Sequence, residues 1–184
     1  MTPAAATLLA EYNAWMNRRL YDAAATLPAG AVERDMGAFF GSLLQTLNHI
    51  AVGDTIWLRR FASTTGDTRL AGALQAYPAP TSLRQPLAAS LPELRDCRDR
   101  LDALISDWAG CLSVEQLAGP IDYTNMAGQP QRKNLGALVL HFFNHQTHHR
   151  GQATTLLFQL GVDVGTTDLL AVIPNEIAAG LAGD

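Results

Sequence analysis

The chain has 184 residues, of which 48% are hydrophobic and only 16% charged. That balance argues against intrinsic disorder and fits one domain, residues 1–184, able to fill its own core without staples. Thirteen basic against seventeen acidic residues give a net charge of −4, so no overall positive field recruits nucleic acid or an anionic membrane.

Two cysteines, Cys97 and Cys111, are too few for a disulfide framework and lack C-x2-C spacing. A reducing cytoplasm suits them, and both read as ordinary small residues rather than nucleophiles. No basic leader precedes the short apolar run at Met1–Ala10, and no later segment offers about 18 consecutive apolar residues. The expectation is a cytoplasmic protein with no membrane partner.

The first helix is expected from about Pro3 to Leu27. Leu8, Leu9, Tyr12, Trp15, Met16 and Leu20 recur there at three- and four-residue intervals, and Pro28 and Gly30 stop it. A second helix runs from about Gly41 to Phe61 with the stripe Leu43, Leu47, Ile50, Asp54, Trp57, Leu58 and Phe61. The acid inside that stripe, Asp54, is costly to bury unpaired and calls for an imidazole, an arginine or water. His49 lies off the stripe, beside Ser42, Gly53 and Ile56. In a bundle each helix meets two neighbours, so this side can still face another helix, with Gly53 giving room one turn on. The Leu43 stripe would then serve partly as a subunit contact. Spacing alone leaves His49 open as a ligand.

Between Ser63 and Pro86 the richness in Thr, Gly and Pro reads as a long crossover rather than a regular element. The third helix, about Leu87 to Trp108, buries Leu87, Leu91, Leu94, Leu101, Leu104, Ile105 and Trp108. Its charge run, Glu93 through Asp102, reads as a solvated face. Alternation around Gly128, from Ile121 to Gln131, suggests a short hairpin. After Gly161 the tail is expected to pack across the bundle.

The fourth helix, about Asn134 to Leu160 with Asn134 as its cap, carries four of the five histidines within nine residues: His141, His145, His148 and His149. Residues four apart on a helix are neighbours, so an H-x3-H pair can reach one metal ion. Two such pairs exist, His141 with His145 and His145 with His149. At about 100° per residue, His145 and His149 fall in the apolar stripe of Leu138, Phe142, Ala153 and Leu156, whereas His141 and His148 lie on its flank. The inward pair is therefore His145 and His149. A catalytic site usually takes three protein ligands and leaves one position open, and His49 is the remaining histidine. The plainer alternative is a set of core histidines satisfied by hydrogen bonds. The fold class that results is all-α, a four-helix bundle with a long crossover between helices 2 and 3 and a short hairpin before helix 4.

Three pieces, Tyr12-Asn13-Ala14-Trp15-Met16-Asn17, His49-Ile50-Ala51-Val52-Gly53-Asp54-Thr55-Ile56-Trp57 and Asn144-His145-Gln146-Thr147-His148-His149-Arg150-Gly151-Gln152, resemble the DinB/YfiT-like family. These are damage-inducible four-helix bundles grouped as metalloenzymes, and they share only a name with the DNA polymerase. The resemblance implies a divalent metal, zinc or nickel, held by His49 from the second helix and by His145 and His149 from the fourth. It also implies a homodimer. Its relatives include thiol-dependent S-transferases and a thiol-dependent isomerase, which implies a low-molecular-weight thiol and a small electrophilic substrate as partners. A metal-dependent hydrolase, with Asp54 or a spare histidine as proton acceptor, and a non-catalytic metal-binding stress-response bundle are the alternatives. Asp54, His141 and Arg150 are the residues expected to support the ligands or touch substrate: Arg150 could pair with a substrate carboxylate, hold Asp54 or hold a helix end, and His141 could close the fourth position. No catalytic residue beyond the ligands is indicated.

Overall fold

A computed structural model describes residues 1–176. Four long helices, α1 (Pro3–Ala25), α2 (Leu43–Thr65), α4 (Leu91–Gly110) and α6 (Leu135–Gln159), form the body, with short helices α3 (Thr68–Ala73) and α5 (Val114–Ala118) between them. α1 packs chiefly on α4 and α6, and α2 on α6 and α4, so each long helix meets two others. The two-stranded hairpin β1 (Pro120–Thr124) and β2 (Pro130–Asn134) pairs antiparallel immediately before α6. The expected all-α bundle with a hairpin is thus the architecture found.

Caps fix the helix starts. Ser42 accepts a hydrogen bond from the Gln45 amide to open α2, and Asn134 accepts one from Ala137 to open α6. Gly66, at φ 70°, takes the left-handed conformation that ends α2 one turn beyond Phe61. α4 starts at Leu91 instead of Leu87 because Ser90 is its cap.

The crossover is more ordered than its composition suggests. It contains α3 and a 3-10 turn, Leu74–Ala76, whose Leu70 and Leu74 are buried in the core. Asp67 caps α3 by accepting from the Leu70 amide, a local signal hidden among Thr and Gly residues. α5 was likewise hidden within the expected connection and opens with a Ser113/Gln116 capping box.

Two expectations are corrected. Leu43, Leu47, Ile50, Leu58 and Phe61 are 0–2% exposed and belong to the core, so the stripe is no subunit contact. α2 is enclosed on nearly every side, which is why one stripe did not describe it. Within the supposedly solvated charge run of α4, Arg98 and Asp102 are buried. Both share the face of Leu94, Leu101 and Ile105 at helical spacing, so they enter the core, paired with each other at 2.9 Å.

The tail crosses the bundle as expected. The Tyr12 hydroxyl donates to the Thr167 carbonyl at 2.6 Å, and Arg19 donates to the Val164 carbonyl at 2.6 Å. Residues 177–184 lie outside the described part. No helix among the described residues is long and apolar enough to cross a membrane.

Candidate metal centre

His49, from the middle of α2, meets His145 and His149 of α6 across the seam between the two helices. One ring nitrogen of each lies within 4.8 Å of those of the other two, and no other group of three histidines, cysteines or acids among the described residues converges in this way. The closest approach is between His49 Nε2 and His149 Nε2, at 3.1 Å. Ring centroids are 5.2 Å apart for His49 and His145 and 4.4 Å for each of the other two pairs.

The approach depends on Gly53. A Cβ at that position would lie 2.9 Å from His145 Cε1, closer than carbon atoms tolerate, so α6 can bring this imidazole against α2 only where α2 has no side chain. Phe40 closes the other side, stacked on His49 with centroids 4.0 Å apart and edge-on to His149 at 5.5 Å.

Hydrogen bonds at the far nitrogens decide the tautomers. His49 Nδ1 faces the Leu83 carbonyl oxygen at 3.0 Å, and His149 Nδ1 faces the Gln152 side-chain oxygen at 2.8 Å. Both partners only accept, so each neutral ring carries its proton on Nδ1. The two Nε2 atoms consequently present bare lone pairs to one another. Such a pair repels unless a cation lies between them, and an outer acceptor behind each imidazole is the usual support of metal-binding histidines. The donor set fits a divalent ion.

Protonation would block that role, and the surroundings oppose it. Burial, helped by the neighbouring imidazoles of His149 and His49, pushes His145 down to about 3. Burial also lowers His49 and His149. All three rings are therefore neutral at pH 7 and free to donate.

The crossover is tied to this place by Asn48, the residue before His49. Its side-chain oxygen accepts from the Leu87 and Ala88 amides, and its amide donates to the Ala88 carbonyl. That anchors the segment whose Leu83 carbonyl holds His49. Beside His49 is a cavity of about 200 Å³, walled also by Phe40, Gln45, Leu83, Arg84 and Pro86.

The remaining candidates fall elsewhere. His141 is exposed, its ring 5.2 Å from Trp57 and 6.1 Å from His145, and it is outside the converging group. Asp54 is fully buried and touches no imidazole: it accepts from Arg98 at 2.5 Å and from Gln146 at 2.6 Å. Of the three partners expected for it, the arginine is the one present. Arg150, also buried, donates to Asn13 and Thr147 and lies over the Tyr12 ring, so it reaches neither Asp54 nor a helix end by hydrogen bond. The outer supports Leu83 and Gln152 were not anticipated. A main-chain carbonyl leaves no mark in sequence, whereas Gln152, three residues after His149 on the same helix, could have been found by its spacing.

The family model described as "DinB family" matches residues 1–177. A curated relative, Protein DinB of Bacillus subtilis (strain 168), is 28% identical over 160 residues, covering 87% of this chain and 88% of the relative. The chain therefore belongs to the DinB family.

Proposed function

We propose that His49, His145 and His149 are the ligands of a divalent metal and that the protein is a metal-dependent enzyme of the thiol-dependent transferase or isomerase type. The observation that carries the metal reading is the convergence of three imidazole nitrogens within 4.8 Å, with the His49 and His149 Nε2 atoms 3.1 Å apart and an oxygen facing each Nδ1. Three imidazoles fill three positions of a tetrahedral set and leave the fourth for a reactant. All-nitrogen ligation suits zinc or nickel.

A divalent ion held there would supply a Lewis acid able to lower the pKa of a thiol. The chain's own residues do the rest. His49 and His149, locked by Leu83 and Gln152, hold their lone pairs in place, and Phe40 keeps water from one side of the rings. The cavity beside His49 has room for a small electrophile. The chain's two cysteines are not in the converging group, so the sulfur comes from a low-molecular-weight thiol. Leu140 and Phe158 are exposed on the same outward face of α6, which supports a homodimer. The protein works in the cytoplasm under this reading.

The test begins with metal content: wild type carries about one ion per chain and His145→Ala loses it. Unchanged stoichiometry in the variant would defeat the ligand assignment. Metal-loaded protein is then given a panel of thiols with a generic electrophile, and metal-dependent conjugation is expected. Hydrolysis of esters or amides without conjugation would put the hydrolase first, and silence in both assays would leave a non-catalytic metal-binding bundle.

A further inference from the structure

Beneath the imidazoles runs a second constellation, made of polar groups drawn from all four long helices. Asp54 of α2 accepts from Gln146 of α6 and from Arg98 of α4. Arg98 also pairs with Asp102 at 2.9 Å, and Asp102 accepts from Asn13 and Asn17 of α1 at 3.0 and 2.9 Å. Asn13 in turn accepts from Arg150 of α6, so the chain of bonds starts and ends on α6, whose backbone completes a ring. Its two carboxylates and two guanidiniums balance, and every member is at most 6% exposed.

The ring is interleaved with the triad in sequence. Asp54 follows Gly53, Gln146 follows His145, and Arg150 follows His149. Successive helical residues point about 100° apart, so the same backbone that aims an imidazole into the α2–α6 seam aims its neighbour into the ring. Sliding α6 along α2 would break the Gln146–Asp54 bond and separate His145 from the Gly53 notch together.

Stability alone does not account for these groups. Buried ion pairs can often be replaced by apolar side chains without loss, because desolvation offsets their attraction. Among the described residues, Gln146 leaves its own side-chain oxygen buried without a partner, a cost an apolar residue of similar volume would avoid. Burial works against the Arg98 charge, yet Asp102 and Asp54 outweigh it and hold its pKa above the ordinary value, whereas burial raises the two carboxyls and lowers Arg150, so the charges here are held at a desolvation cost.

We propose that Gln146, with Asp54 and Arg98 behind it, is a positioning residue that fixes the α2–α6 register at which the three imidazoles share one ion. This rests on the metal reading above. The expected cost of losing such support is about 10–100-fold in metal affinity.

The experiment compares the full-length wild type with Gln146→Leu, the gentler Gln146→Met, and Leu117→Ala, a buried position in α5, as a control for general destabilisation away from the site. Zn²⁺ affinity is measured by competition with a chromophoric chelator, geometry by the visible spectrum of Co²⁺-loaded protein, and the metal-free imidazole tautomers by nitrogen NMR. Both Gln146 variants should weaken Zn²⁺ binding about 10-fold or more, alter the Co²⁺ spectrum and loosen the fixed Nδ1–H tautomers of His49 and His149. Leu117→Ala should lower the melting temperature yet leave affinity and spectrum as in wild type. Folded Gln146 variants with wild-type affinity, spectrum and tautomers would overturn the proposal, as would equal effects from Leu117→Ala. Failure of the wild type to bind Zn²⁺ or Co²⁺ would instead overturn the metal reading, and the metal-free tautomers would then judge the register by themselves.

Discussion

His49 and His149 point their Nε2 atoms at each other across 3.1 Å while their Nδ1 protons are held from behind by Leu83 and Gln152. The two rings come from helices a hundred residues apart in sequence. What makes them a pair is the outer hydrogen bond on each, which strips the inner nitrogen of its proton.

Removing one of those outer acceptors should be felt at the metal. Gln152→Ala is expected to weaken Zn²⁺ binding about 10–100-fold with a small change in melting temperature of the metal-free protein. Gln152→Glu, a stronger acceptor, should retain or tighten binding. Chelator competition on both variants checks this, and equal affinities for wild type and Gln152→Ala would count against the tautomer argument.

Gly53→Ala separates two opposing effects. Alanine favours a helix interior over glycine by about 1 kcal/mol, while its Cβ would meet His145 Cε1 at 2.9 Å. Without metal, the imidazole can swing away, so melting should rise or stay level. With metal, the ring is confined, and affinity should fall about 10-fold or more. Melting curves with and without Zn²⁺ would show the metal-induced stabilisation shrinking.

Asn48→Ala should free the crossover. Its side chain makes three bonds to Leu87 and Ala88, and the loss leaves partly buried amides unsatisfied at a cost of about 1–3 kcal/mol. Urea unfolding should report that loss, and limited proteolysis should open sites near Leu83. An unchanged cleavage pattern would mean the segment is held by other contacts.

Acid should unfold the metal-free protein through its imidazoles. His145 falls from an ordinary 6.5 to about 3 on folding. Above pH 6.5 the ring is neutral in both states and contributes nothing. As pH falls from 6.5 towards 3, the unfolded chain takes up a proton that the native state refuses, so stability declines across that window. The slope is at most about 1.4 kcal/mol per pH unit for each such histidine, and less for a partly exposed ring. Urea midpoints between pH 7.5 and 4 should drop less steeply in His145→Ala. Zn²⁺ should flatten the wild-type curve while it remains bound.

The helical period made His145 and His149 legible as an inward pair from sequence, because spacing along one helix maps directly onto one face. The same rule read the four long helices and the cap at Asn134, and it could have read Arg98 and Asp102, which sit in register with Leu94 and Ile105. What it could not reach was His49. On α2, enclosed by α4, α6 and the crossover together, burial has no single direction, so a stripe cannot say which side faces α6. Only the packed bundle decided that Gly53 receives the His145 ring, that a main-chain carbonyl at Leu83 fixes a tautomer, and that Asp54 answers Arg98 rather than an imidazole. Local periodicity is a property of one segment, whereas a shared centre depends on the register between segments, and that register is set by contacts distant in the chain.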